Sequence, residues 1–170
     1  MRKVVCIITL ILGFVSVAHT QSNELEHASK LQYPFITEWN TGNSTSITIP
    51  TSTGYYDYTV YWEEKGDSVN NGTLTHQTGN ATISPLKPNT DYRVEIEGDF
   101  PAIYFNNSGD KDKIRWITQW GDIAWKSFNY AFEGCSLLDV GAADTPDLSQ
   151  VHSLNSMFRG CTQLKGSLAN

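Results

Sequence analysis

The residues able to carry acid–base or metal chemistry are few and scattered. Histidines stand at His19, His27, His76 and His152, with no second ligand at the spacing a metal site needs. His76, beside Thr75 in a strand-like run, reads as a solvent-facing or hydrogen-bonded side chain. Asp110 and Asp112 with Asn106 and Asn107 offer oxygen ligands, but their spacing lacks the glycine and the terminal glutamate of a calcium loop. Glu63 and Glu64 are neighbours, and neighbours on a strand point to opposite faces, so they cannot act together on one bond. No nucleophile, base and orienting group can be assembled from these residues. The expectation is a chain without catalysis, without a metal and without a cofactor.

The chemistry left is that of surfaces. Trp116, Trp120 and Trp125 concentrate aromatic area within ten residues. They can stack on sugar rings, or they can seal the open apolar end of a stacked structure, and the second use is the one expected here. The formal charge of −6 becomes two units more negative if Arg2 and Lys3 leave with a leader. Lysines and arginines are dispersed, which excludes nucleic acid and anionic membrane as partners.

The N-terminus has Arg2 and Lys3, an apolar run from Val4 to Val17, and Ala18 and Thr20 as small residues before a cleavage point. This is the pattern of a secretory signal peptide over 1–20. A run of 14 residues is short of the roughly 20 needed to span a bilayer, so no transmembrane segment is expected after its removal. Cys6 lies too early in that run to be an acylated cysteine. Residues 21–34 are polar and without apolar period, as in a flexible leader.

Over 35–106 the pattern is that of strands. Ile47 and Ile49 alternate with Ser46 and Thr48; Tyr56 to Trp62 is aromatic and β-branched; Thr73 to His76 and Ala81 to Ile83 are shorter candidates. Tyr92, Val94 and Ile96 alternate with Arg93, Glu95 and Glu97, which predicts one buried and one wet face. Turns are expected at Thr53-Gly54, Lys65-Gly66-Asp67, Asn70-Asn71-Gly72, Gly79-Asn80 and Lys87-Pro88-Asn89. Short strands at this spacing predict an immunoglobulin-like β-sandwich. Tyr58-Thr59-Val60-Tyr61-Trp62 resembles the PKD-type sandwich, with Tyr61 where that family carries Asp. Leu86-Lys87-Pro88-Asn89-Thr90-Asp91-Tyr92 resembles the strand entry of fibronectin type III modules.

Residues 107–170 carry an internal repeat. Lys126 to Leu138 aligns with His152 to Leu164 at a period of 26, with six identities in thirteen positions. The paired positions Phe132 and Phe158, Gly134 and Gly160, Cys135 and Cys161, and Leu138 and Leu164 have the period and composition of leucine-rich repeats. Each repeat is expected to supply a short strand, Leu137 to Val140 in the first, and a return arm, roughly Leu148 to Phe158. Phe128, Phe132, Cys135, Leu138, Leu154, Phe158, Cys161 and Leu164 are the expected core of this segment, with the three tryptophans as its cap or ligand surface. Equivalent cysteines on successive turns point the same way, which predicts two reduced, buried thiols rather than a disulfide. Two motifs are fewer than a stable array generally needs.

Ala131-Phe132-Glu133-Gly134-Cys135 and Met157-Phe158-Arg159-Gly160-Cys161, with Gln119-Trp120-Gly121 before them, resemble BspA-type leucine-rich-repeat surface proteins of bacteria. The resemblance covers the chain from about Pro34 onward. It implies an immunoglobulin-like sandwich followed by a short, truncated α/β solenoid, secretion or cell-surface display, and adhesin-like binding to extracellular or host proteins. A carbohydrate-binding accessory module using exposed tryptophans is the alternative. In a bacterial protein the glycosylation sequons at Asn43, Asn71, Asn80 and Asn106 are compositional.

Overall fold

The computed structural model describes residues 33–166. The expected signal peptide over 1–20, with Cys6 and His19, lies outside the described residues, as does the leader up to Gln32 with His27. The described chain is all β. Its strands are β1 (Phe35–Asn40), β2 (Ile47–Ile49), β3 (Asp57–Glu64), β4 (Asp67–Gln77), β5 (Ala81–Ile83), β6 (Asp91–Asp99), β7 (Ile114–Gln119) and β8 (Asp139–Val140). Six of them form a sheet in the order β4-β3-β6-β1-β7-β8, and β2 pairs with β5 in a second, two-stranded sheet. All pairings are antiparallel except β7 with β8.

Alternation builds the core between these sheets. Tyr92, Val94 and Ile96 on β6 are buried while Arg93, Glu95 and Glu97 are not, as the sequence predicts. Phe35 and Trp39 on β1 and Tyr58 and Val60 on β3 add to the same face, and Ile47, Ile49, Ala81 and Ile83 come from the smaller sheet; all belong to one apolar cluster. The stretch Asn70-Asn71-Gly72, expected as a turn, lies inside β4. Gly72 stands opposite Trp62, and a Cβ there would come within 2.7 Å of the indole, so this glycine makes room for a cross-strand tryptophan. Lys87-Pro88-Asn89 does turn the chain, and its geometry is fixed by the next strand: the Lys87 N–H donates to the Tyr92 hydroxyl at 3.0 Å. This is the tyrosine-corner arrangement of β-sandwiches.

The strand β7 lies beyond residue 106, yet it is hydrogen-bonded to β1 inside the large sheet. No helix occurs among the described residues, so the helical part of the expected α/β segment is absent from them. The physical reason is local. In the first repeat copy the N–H groups of Ala131, Cys135 and Leu138 bond three residues back, to Phe128, Phe132 and Cys135, and the second copy does the same at Met157, Cys161 and Leu164. Tyr130, Gly134, Ser156 and Gly160 have positive φ between these turns, which breaks any i→i−4 ladder.

Replacing Tyr92 by Phe removes one acceptor from a part-buried backbone donor. The expected loss is about 1 kcal/mol, read as a lower urea midpoint at unchanged slope. An unchanged midpoint would show that the corner contributes nothing.

Candidate functional site

The two repeat copies lie against one another in register. The N–H groups of Phe128, Tyr130, Phe132 and Gly134 donate to the carbonyls of Ser153, Asn155, Met157 and Arg159 at 2.7–2.8 Å. Phe132 stacks on Phe158 with ring centroids 5.5 Å apart and planes within 11°. On the other side of the first copy, Phe105, Asn106 and Asn107 donate their N–H groups to Ala131, Tyr130 and Glu133. The first copy is thus held between two layers. The layer at Phe105–Asn107 was not expected from the sequence, although a signal is present. Phe105-x-Asn107 has the spacing of Phe132-x-Gly134 and Phe158-x-Gly160, and Asn107, Gly134 and Gly160 all adopt a positive φ. Asparagine is the residue other than glycine that best tolerates this region.

Burial follows from the layering. Phe128, Phe132, Cys135 and Leu138 of the first copy are buried. Phe158, Cys161 and Leu164 of the second copy are half-buried, and Leu154, expected in the core, is 50% exposed. The cause is that no further layer covers the second copy among the described residues. There the N–H groups of Leu154, Ser156, Phe158 and Gly160, equivalent to the four donors above, have no acceptor among the described residues.

The tryptophans divide. Trp120 and Trp125 are fully buried and contact Phe35 at centroid distances of 5.8 and 5.1 Å, while Trp125 also packs on Phe128 at 4.7 Å. Both join the sandwich to the first repeat. The Trp125 indole N–H has no acceptor among the described residues, a cost of about 1–3 kcal/mol set against the ring contacts. Trp116 is 42% exposed on the outward side of β7, opposite Glu38 and beside Asp139 of β8. Leu137, expected to open a strand that runs to Val140, is exposed in the turn before β8, and the strand itself is Asp139–Val140.

Charged groups in this region hold structure. Glu133 is buried and accepts the Arg159 Nε–H at 2.7 Å; the two occupy the same repeat position, so the pair ties one copy to the next. The Asp144 carboxylate accepts the N–H groups of Trp120 and Gly121. Asp139 accepts from Val140, Lys165 and Gly166. Burial opposes ionisation of Asp139, and those three donors outweigh it and hold its carboxyl below the usual range. Elsewhere, Asp110 accepts the Thr48 N–H at 2.7 Å and pairs with Lys113 at 2.8 Å, which occupies both its oxygens. Glu63 faces Arg93 and Glu64 faces Lys87, so the adjacent glutamates are held by different cations. His76 is exposed and bonded to Asp57.

Cys135 and Cys161 are free thiols. Burial pushes the Cys135 thiol far above its ordinary range and the Cys161 thiol up to about 11. The Cys161 S–H donates to the Phe132 carbonyl at 3.1 Å.

Substituting Trp120 or Trp125 by Ala is expected to cost about 3–5 kcal/mol in denaturant unfolding, whereas Trp116→Ala should change stability by no more than about 0.5 kcal/mol. Equal costs at all three positions would overturn the division. Asp139 has a lower pKa folded than unfolded, so its contribution is complete above the unfolded carboxylate range near 4 and is lost as the pH falls through the folded value. Amide protection at Lys165 and Gly166, corrected for intrinsic exchange, should therefore fall below about pH 4. Protection that is flat to pH 2, or unaffected by Asp139→Asn, would contradict this.

No family model, no curated protein and no solved structure matches the chain, so its function has to be read from its own residues.

Proposed function

We propose that the chain is a secreted or cell-surface repeat protein of the BspA leucine-rich-repeat type, adhesin-like, which binds other proteins and catalyses nothing. The observation that carries this reading is the in-register bonding of the two 26-residue copies by four alternate N–H groups. Self-stacking units are the elements of a solenoid, whose repeated positions serve packing and whose outward positions are free for ligands. The four equivalent donors on the second copy suit a further unit of the same pattern. No helix among the described residues is long and apolar enough to cross a membrane. Protein ligands are taken on the outward side of β7, where Trp116 is exposed, and at Leu137, exposed in the turn before β8. Tryptophan is among the residue types enriched at interface hot spots.

The second reading, a carbohydrate-binding accessory module, rests on tryptophans. Of the three in this region only Trp116 is exposed enough to stack on a sugar, which narrows that reading to one side chain. Surface plasmon resonance of the purified chain against immobilised fibronectin, fibrinogen, laminin and collagen tests the first reading. Binding to at least one is expected, weakened about tenfold or more by Trp116→Ala or Leu137→Asp without a change in unfolding temperature. Absence of binding to all four, or binding indifferent to both substitutions, would sink it. Loss of oligosaccharide binding alone in Trp116→Ala would select the second.

A further inference from the structure

A groove runs where the loops of the sandwich meet the repeat segment. It consists of two adjoining depressions of about 460 and 600 Å³ that share Ser52, Thr53, Ala102 and Ser127. These volumes are those of small-ligand sites. Tyr55 lines the first depression and is 73% exposed, with no ring contact among the described residues. A tyrosine so exposed gains nothing for the fold. The loop that carries it is nonetheless braced: the Ser52 and Tyr56 hydroxyls are 2.9 Å apart, and the Tyr56 hydroxyl donates to the Ala102 carbonyl at 3.0 Å. Thr51 donates its N–H and its hydroxyl to Asn80 Oδ1, which leaves the Asn80 amide nitrogen for another partner.

The lining adds hydroxyl and amide groups from Ser127, Asn129 and Tyr104, apolar surface from Phe100, Pro101 and Ala124, and two exposed charges, Asp99 and Lys126. Neither charge has an ion-pair partner among the described residues. We propose that this groove binds a neutral glycan. A pyranose presents an apolar C–H face and a rim of hydroxyls. The face stacks on the Tyr55 ring, and the hydroxyls donate to the Asp99 carboxylate and accept from Lys126 and the Asn80 amide. One cation beside one anion, with no arginine in the lining, does not suit phosphate, sulfate or nucleic acid. This site is separate from the Trp116 side of the molecule and does not depend on the repeat reading.

The test is calorimetric titration of the full chain with cellohexaose, mannohexaose, laminarihexaose, maltohexaose and chitohexaose, with a decaproline peptide in parallel. At least one sugar should bind. Tyr55→Ala and Asp99→Asn should each weaken it about tenfold or more at unchanged unfolding temperature, and Trp116→Ala should leave it unaltered. The proposal is overturned if no sugar binds, if binding survives both groove substitutions, or if Trp116→Ala abolishes it. It also falls if decaproline binds in a Tyr55-dependent way while the sugars do not.

Discussion

The contact on which both halves of the molecule depend is the aromatic seam around Phe35. That residue begins β1, which lies between β6 and β7 in the large sheet, and its ring meets Phe100, Trp120 and Trp125 within 6.5 Å. From Trp125 the packing passes to Phe128 of the first repeat copy, and from Trp39 through Phe105 to Phe132. The sandwich core and the repeat core are therefore one apolar cluster. A repeat copy cannot bury its edge alone. Here the sandwich supplies the missing neighbour, through the aromatic seam and through the layer at Phe105–Asn107.

Within the repeat, the backbone divides its donors between two tasks. In the first copy, Phe128, Tyr130, Phe132 and Gly134 send their N–H groups sideways to the next copy, while Ala131, Glu133 and Cys135 close local turns. A helix would direct every donor along its own axis and leave none for stacking. The period of 26 is a consequence, since lateral bonds hold only if each copy returns to the same place. Gly134 is demanded twice over, by a positive φ and by its close approach to Asn107, and Gly160 by its positive φ. The two cysteines recur at the same repeat position, and the second bonds back across the copies to the Phe132 carbonyl.

Much of the fold was legible because its signals are local. The alternation of Tyr92, Val94 and Ile96 predicts a half-buried strand, and the six identities at fixed offset single out the positions at which the copies superimpose. What was not legible depends on partners distant in sequence. Gly72 reads as a turn residue until Trp62 is placed across from it. The membership of β7 in the large sheet is decided by β1, some 80 residues earlier. Leu154 has the same sequence signal as Phe128 and a different environment, because a neighbour covers one copy and none among the described residues covers the other. The three tryptophans differ in the same way: composition groups them, and the seam separates Trp120 and Trp125 from Trp116.

Among the candidate ligand groups Trp116 was legible in the sequence as a possible ligand surface and Tyr55 and Leu137 were not, for a reason that follows from repeat architecture. Positions that recur are those that stack, and stacking positions are buried or bonded to their own equivalents. The exposed apolar groups are free of that duty and carry no periodic signal, whereas Ser127 and Asn129 of the groove recur as Ser153 and Asn155. Trp116 lies before the first copy, Leu137 is matched by Gln163 in the second, and Tyr55 belongs to a loop of the sandwich. Each is large, apolar and exposed in a molecule whose core already holds more than a dozen aromatic and aliphatic side chains with almost no accessible surface. Single exposed apolar residues are ordinary. Their placement on braced backbone, Trp116 within a paired strand and Tyr55 on a hydrogen-bonded loop, is what distinguishes them, because a rigid support lowers the entropy that binding has to overcome.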